Sequence, residues 1–300
     1  MAGRKGTVVQ LREQPGTLDN YARAAFGALP FVKPSGRRSL PKDTLSLSGL
    51  RIDTDNLAAY ARVCGLRFGD TLPITYPFTL VFPTVMRLLT EREFPFPAIG
   101  SVHIENVIEQ LRPISVSEPL DIAVHAENLR PHPKGTQVDF VSEISVGREL
   151  VWRQVSTFLK MHPTDAPKEP KQVHADEVPP RPMRTLRVDQ KAISRYAAVS
   201  GDRNPIHVSS LGAKAFGFPG TIAHGMWSAA AVLGAVEGRI PDAVTYSVKF
   251  GKPVVLPATV NVYADAVAGA ESAGTGSGWD LALRNPKKGY PHLTATLRPL

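Results

Sequence analysis

The sequence predicts an α+β chain of two similar units, each an antiparallel sheet wrapped round a central helix, with the two sheets pairing inside one chain. Three observations carry this. Residues 161–186 are rich in Pro and charge and poor in apolar side chains, the composition of a solvated linker, and they lie a little past the middle of the 300 residues. The segments on either side repeat one order of elements. In both halves helical spacing gives way to alternating strands separated by turn signals.

Residues 1–40 read as an N-terminal extension. The start, MAGRKGTVVQLREQPG, has no continuous apolar core and no small-residue cleavage site, so no secretory leader is expected. The one apolar patch nearby, Tyr21–Val32, is interrupted by Arg23, Gly27 and Pro30. Residues 41–160 form the first unit. Helical spacing runs over Ile52–Val63, then strands over Leu120–Leu129, Thr136–Val146 and Glu149–Leu159, with a turn at Pro133-Lys134-Gly135.

Residues 187–300 form the second unit. Helical spacing over Val188–Val199 puts Ile193, Tyr196, Ala197 and Ser200 on one face, with Tyr196 matching Tyr60 of the first unit. Strands follow over Val260–Val267, Trp279–Arg284 and His292–Leu297, with a turn at Pro286–Gly289. A long apolar helix against a curled sheet buries both faces, which is why this order specifies a two-layer unit.

Composition narrows the function. The chain is 43% hydrophobic and 21% charged, as soluble globular proteins are, and it has no run of about 18 apolar residues that would cross a membrane. A single cysteine, Cys64, rules out an intrachain disulfide and suits a reducing cytoplasm. The net charge of +8 fits an acidic partner such as a phosphate-bearing carrier, or a solvated basic surface without a role. Nucleic acid is set aside, because the basic residues are scattered and no binding motif appears.

The chemistry is concentrated in SGDRNPIHVSSLGAKAFGFPGTIAHGM, residues 200–226. Pro205 lacks an amide hydrogen and disfavours helix at Asn204, so Asp202 to His207 is expected to be a turn that brings carboxylate and imidazole near one water molecule. Downstream, Ile222-Ala-His-Gly-Met226 leads into WSAAAVLGAVEG, which is apolar on nearly every side, as a buried central helix would be. At that helix start the first amides have no internal partner, and Gly225 has no Cβ to keep a ligand oxygen away.

An acid/base pair, Asp202 and His207, plus an oxyanion donor, Gly225, suits reversible addition of water to an α,β-unsaturated thioester. One of the pair would take a proton from the attacking water, and the pair would return one to the α-carbon. His224 is read as helping the helix start or touching substrate. A metal held by Asp202, His207 and His224 is not expected, since no further ligand has metal-site spacing. No nicotinamide motif is present, and no cofactor is expected beyond the thioester handle.

The stretch Tyr196-Ala-Ala-Val-Ser-Gly-Asp-Arg-Asn-Pro-Ile-His207, with Ala223-His-Gly-Met226, resembles the signature of the MaoC-like dehydratases, the R-specific enoyl-CoA hydratases and 3-hydroxyacyl-thioester dehydratases of the hotdog fold. The whole chain, including the ending GYPHLTATLRPL, is similar to actinobacterial double-hotdog members of fatty acid elongation. The resemblance implies that Asp202 and His207 are catalytic, that Asn204 supports their loop and that the Gly225 amide is the oxyanion donor. It also implies an acyl-CoA or acyl carrier protein substrate, and a degenerate first half that accommodates the fatty chain. A hotdog thioesterase and a non-catalytic acyl-thioester-binding subunit are the alternatives.

Aligning Tyr60 with Tyr196 places Asp202 on Leu66, Asn204 on Phe68 and His207 on Thr71. The strand alignment places His224-Gly-Met226 on Thr84-Val-Met86. The first half therefore lacks the chemistry, and Asp70 reads as a turn residue. Leu72–Met86 is a candidate acyl lining, with core packing as the other reading of its side chains. Lys249, Lys252, Arg284, Lys287 and Lys288 could meet carrier phosphates or simply be solvated, and Cys64 reads as core. Monomer and homodimer are both open.

Overall fold

The computed structural model describes residues 6–27, 39–164, 181–267 and 278–300. The first half contains β1 (Val8–Gln10), α1 (Thr17–Gly27), β2 (Thr44–Leu50), α2 (Thr54–Cys64), α3 (Pro77–Leu89), β3 (Ser101–Gln110), β4 (Leu120–His132), β5 (Gly135–Val146) and β6 (Glu149–Met161). The second contains β7 (Arg184–Val188), α4 (Gln190–Ser200), α5 (Pro205–Val208), α6 (Ser210–Ala215), α7 (Gly225–Leu233), β8 (Val244–Phe250), β9 (Ala258–Val267), β10 (Gly278–Arg284) and β11 (Pro291–Pro299). Part of the expected linker, 165–180, lies outside the described residues. Its last part is not linker: β7 begins at Arg184 and pairs with β9.

The two sheets expected to pair inside one chain run together as one: the described strands form a single sheet in the order β1-β2-β4-β5-β6-β3-β8-β11-β10-β9-β7. The halves fuse where β3 and β8 pair antiparallel, from Glu105 opposite Lys249 to Gln110 opposite Val244. Pairing two edge strands satisfies both rows of backbone donors and acceptors, which isolated sheets would leave exposed. Outward from this seam, β6-β5-β4-β2 on one side mirrors β11-β10-β9-β7 on the other. That symmetry is the architectural trace of the repeat seen in the sequence. β1 extends one edge only and runs parallel to β2.

The helices repeat as well. Asp53 and Asp189 cap α2 and α4 through their side chains, and Gly65 and Gly201 end them in the left-handed conformation, at φ 71° and 73°. Ile193, Tyr196, Ala197 and Ser200 are the buried face of α4, as their spacing predicts. The Tyr60 and Tyr196 rings lie 6.0 Å apart where the two helices meet. α3 and α7 are the central helices. All but one residue of α3 and every residue of α7 after Gly225 is buried, so these helices have no polar face to offer solvent.

The halves diverge between the first helix and the central one. Thr71 bridges to Ser115 just six residues after Gly65, whereas the matching bridge, Ile222 to Val255, comes twenty-one residues after Gly201. α5 and α6 occupy the extra span. Thr71 is therefore the counterpart of Ile222 and not of His207, correcting the sequence alignment. Thr84-Val85-Met86 sits in the middle of α3, and the helix starts at Pro77. Proline has no amide hydrogen, so this helix start cannot donate at the position Gly225 occupies in α7.

Candidate active site

Gly201 ends α4 and delivers Asp202 to the seam between the halves. Residues 202–207 are not wholly a turn: Asn204 caps a one-turn helix, α5, with Pro205 at its first position. The Asn204 side chain accepts from the Ile206 amide at 3.4 Å, and its own amide donates to Asp202 Oδ1 at 3.1 Å. Asn204 thus orders both the loop and the carboxylate. His207 rides on α5, 8% exposed.

The imidazole of His207 has a fixed tautomer. Its Nδ1 lies 2.8 Å from the Ile222 carbonyl, which only accepts, so Nδ1 carries the hydrogen and Nε2 presents a lone pair. That Nε2 is 3.9 Å from Asp202 Oδ2. His224, immediately before α7 and 2% exposed, stacks on His207 with ring centroids 3.7 Å apart. Its Nε2 donates to the Asp202 carbonyl at 2.9 Å, so it ties the start of α7 to the Asp202 loop.

Sequence reasoning missed Tyr21. Its hydroxyl donates to Asp202 Oδ1 at 2.9 Å across 181 residues of chain. A hydrogen bond to a charged group contributes roughly 1.5–3 kcal/mol. The one available signal was an aromatic residue in an extension too polar to form a core of its own.

Burial would raise the Asp202 carboxyl, but the two imidazoles and the bonds from Tyr21 and the Asn204 amide outweigh it and hold it below its ordinary value. Burial pushes His207 down, partly against the pull of Asp202. It pushes His224 to about 3, helped by His207. The resting pair is therefore a carboxylate facing a neutral imidazole. With both imidazoles neutral, the bonds from the Tyr21 hydroxyl and the Asn204 amide keep the carboxylate charged.

These groups face a cavity of about 360 Å³ built from both halves. Gly225 is on its wall, at the first position of α7, and a Cβ there would meet the Phe250 ring at 3.0 Å. The first half contributes Phe78 and Phe82 from α3, Val102 to Ile104 from β3 and Phe158 from β6. Of the candidate lining Leu72–Met86 only Phe78 and Phe82 reach this cavity, while Leu72, Ile74, Tyr76, Val81 and Val85 are core. His103, also missed, stacks on Phe158 at 4.6 Å.

The buried Tyr196 hydroxyl, Ser101 hydroxyl and His224 Nδ1 have no hydrogen-bond partner among the described residues, and all three residues line the cavity. Lys252 and Lys134 are also on the wall, whereas Lys249, Arg284, Lys287 and Lys288 are not.

Asp202, His207 and His224 each bring one ligating atom within 4.8 Å of the others. His224 Nε2 spends its hydrogen on the Asp202 carbonyl, while its Nδ1 keeps an unpartnered lone pair. Asp70 lies outside the cavity and Cys64 is buried core. No helix among the described residues is long and apolar enough to cross a membrane.

Residues 170–278 match the family model of the MaoC like domain, a span that contains Asp202, Asn204, His207, His224 and Gly225. Over 289 residues the chain is 52% identical to 3-hydroxyacyl-thioester dehydratase X of Mycobacterium tuberculosis, covering 96% of this chain and 99% of that one. The crystal structure of that organism's HtdX superposes with a TM-score of 0.75 at 50% identity, covering 86% of this chain and 100% of the other. A MaoC-like dehydratase from Phytophthora capsici shares the fold at a TM-score of 0.67 and 18% identity, over 90% of this chain and 98% of that one.

Proposed function

The chain belongs to the MaoC-like dehydratases, and from that premise we propose that it catalyses reversible dehydration of (3R)-hydroxyacyl thioesters and hydration of trans-2-enoyl thioesters in fatty acid metabolism. The carrying observation is the 3.9 Å separation of Asp202 Oδ2 and His207 Nε2 beside the start of α7. A water oxygen placed between them can bond both at ordinary hydrogen-bond length.

In hydration, the water oxygen attacks the β-carbon while His207 Nε2 takes one of its hydrogens. Asp202 Oδ2 holds the other hydrogen and stabilises the imidazolium. The electron pair of the double bond moves towards the thioester oxygen, where the Gly225 amide and the α7 dipole hold the enolate charge. The imidazolium then gives its proton to the α-carbon, so water is added and the enzyme is restored. Dehydration is the reverse. Asn204 keeps Asp202 oriented, and His224 packs against His207 as its support.

Each half is one hotdog unit in this reading. Residues 41–160 are the degenerate partner that shapes the acyl groove, 1–40 an extension, and the connection runs up to β7, which at Arg184 opens the catalytic unit ending at residue 300. The apolar wall from α3 and β6 receives the acyl tail. Lys134 and Lys252 are placed to meet the phosphates of coenzyme A or an acyl carrier protein. No cofactor is needed beyond the thioester. Since both units sit in one chain, a monomer suffices, and the lone buried Cys64 thiol favours a cytoplasmic setting.

The test is loss of the conjugated-enoyl absorbance of trans-2-enoyl-CoA substrates of increasing length, with free thiol followed in the same samples. Enoyl loss without thiol release is the expected result. Thiol release would identify a thioesterase, and binding without either change an acyl-thioester-binding subunit.

A further inference from the structure

We propose that Tyr21, on the N-terminal helix α1, is a positioning residue that completes the site, fixing the Asp202 carboxylate so that Oδ2 alone faces the imidazoles. The inference rests on the roles given to Asp202 and His207 and adds a residue from outside the motif and outside both repeated units.

α1 is docked on α3. The buried Asn20 side chain donates to the Pro83 carbonyl at 2.9 Å, and Gln14 donates to the Leu80 carbonyl at 2.8 Å. Ala24 is 3% exposed. Tyr21, next to Asn20, is thereby carried to the rear of Asp202. Together with Ala24 it lines a second, smaller cavity that shares Phe82, Ser101, Phe158, Asp202 and Asn204 with the main one. The carboxylate is thus approached from two sides.

A carboxylate can rotate about its Cβ–Cγ bond. Two donors on Oδ1, the Tyr21 hydroxyl at 2.9 Å and the Asn204 amide at 3.1 Å, oppose that rotation and leave Oδ2 for water. Such preorganisation matters because small displacements of a reacting group cost large factors in rate. Burial, together with the neighbouring carboxylate, pushes the Tyr21 phenol far up, so it remains a donor throughout the working pH range. The other titratable groups facing Asp202 are Tyr196 on α4, His207 on α5, His224 before α7 and His103 on β3. None of these four donates a side-chain hydrogen bond to the carboxylate, whereas Tyr21 does.

Tyr21→Phe removes the hydroxyl and keeps the ring. Turnover on an enoyl-CoA should fall about tenfold with KM within about twofold, the scale of one lost charge-assisted hydrogen bond. Asn20→Ala, which loosens α1, should lower turnover in the same direction. Independently of turnover, carboxyl 13C NMR, with Asp202→Asn used to assign the resonance, should show the Asp202 midpoint rising in Tyr21→Phe. An unchanged midpoint with wild-type turnover would overturn the proposal. If the wild-type protein hydrates no enoyl thioester, the functional reading fails while the carboxyl titration still decides the role of Tyr21.

Discussion

Asp202 Oδ2 and His207 Nε2 stand 3.9 Å apart, too far to bond each other and close enough to share one water. Other contacts prevent their collapse into a direct ion pair. Oδ1 is held by Tyr21 and the Asn204 amide, and His207 Nδ1 by the Ile222 carbonyl. The carboxylate and imidazole are therefore fixed as a pair of acceptors, which is what water activation requires.

Gly225→Ala tests the helix start. The new Cβ would come within 3.0 Å of Phe250 Cε1, in front of the amide proposed to hold the enolate. Phe250 is only partly buried and can give by a few tenths of an ångström, so the melting temperature should drop by a few degrees at most. Turnover should fall roughly 10–10²-fold, as for a weakened oxyanion donor. Adding Phe250→Leu should recover stability and leave turnover low.

The pH–rate profile should reflect a depressed imidazole. His207 is lowered by burial and acts as a base only when neutral. Hence kcat/KM should stay flat as pH falls past 6.5, the ordinary imidazole value, and decline only below it. A limb at or above that value would contradict the neutral buried base.

Stability should depend on acid in the same direction. His224 and His103 are pushed down to about 3 and about 4 in the folded chain, chiefly by burial. Unfolding restores their ordinary affinity for protons, so the unfolded chain binds more protons below about pH 6.5. Their stabilising contribution is complete above that pH and is lost as pH falls towards the folded values. Melting temperatures measured from pH 7 to 5 should decline, and His103→Phe should flatten the decline.

The motif residues were legible because their constraints are local. Pro205 can occupy few backbone conformations, Gly201 suits the left-handed helix end that other residues avoid, and an Ala-rich apolar run after His224-Gly225 reads as a buried helix. Tyr21 and His103 were not legible, since each reaches the site through tertiary packing: Tyr21 by docking of α1 on α3, His103 through β3. The alignment of the halves failed where α5 and α6 were inserted, because an insertion of that size leaves no periodic signal. Pairing of the two sheets was legible but not where it occurs, because β3 and β8, Ser101–Gln110 and Val244–Phe250, were not identified as strands.

Chain-length preference should follow Phe82, which lines both the main cavity and the small one beneath α1. Phe82→Leu opens the passage between them, so kcat/KM should shift towards longer enoyl thioesters. Thr71→Ala, at an exposed bridge residue in the first half that does not reach the cavity, should leave the preference and the rate unchanged.

The most direct measurement compares enoyl-CoA hydration by wild type, His207→Ala and Asp202→Asn, with folding checked by melting temperature. One acid/base site per chain predicts that each variant loses a factor of roughly 10² or more in turnover while remaining folded. Near-normal turnover in both variants would contradict it and move the chemistry away from this pair.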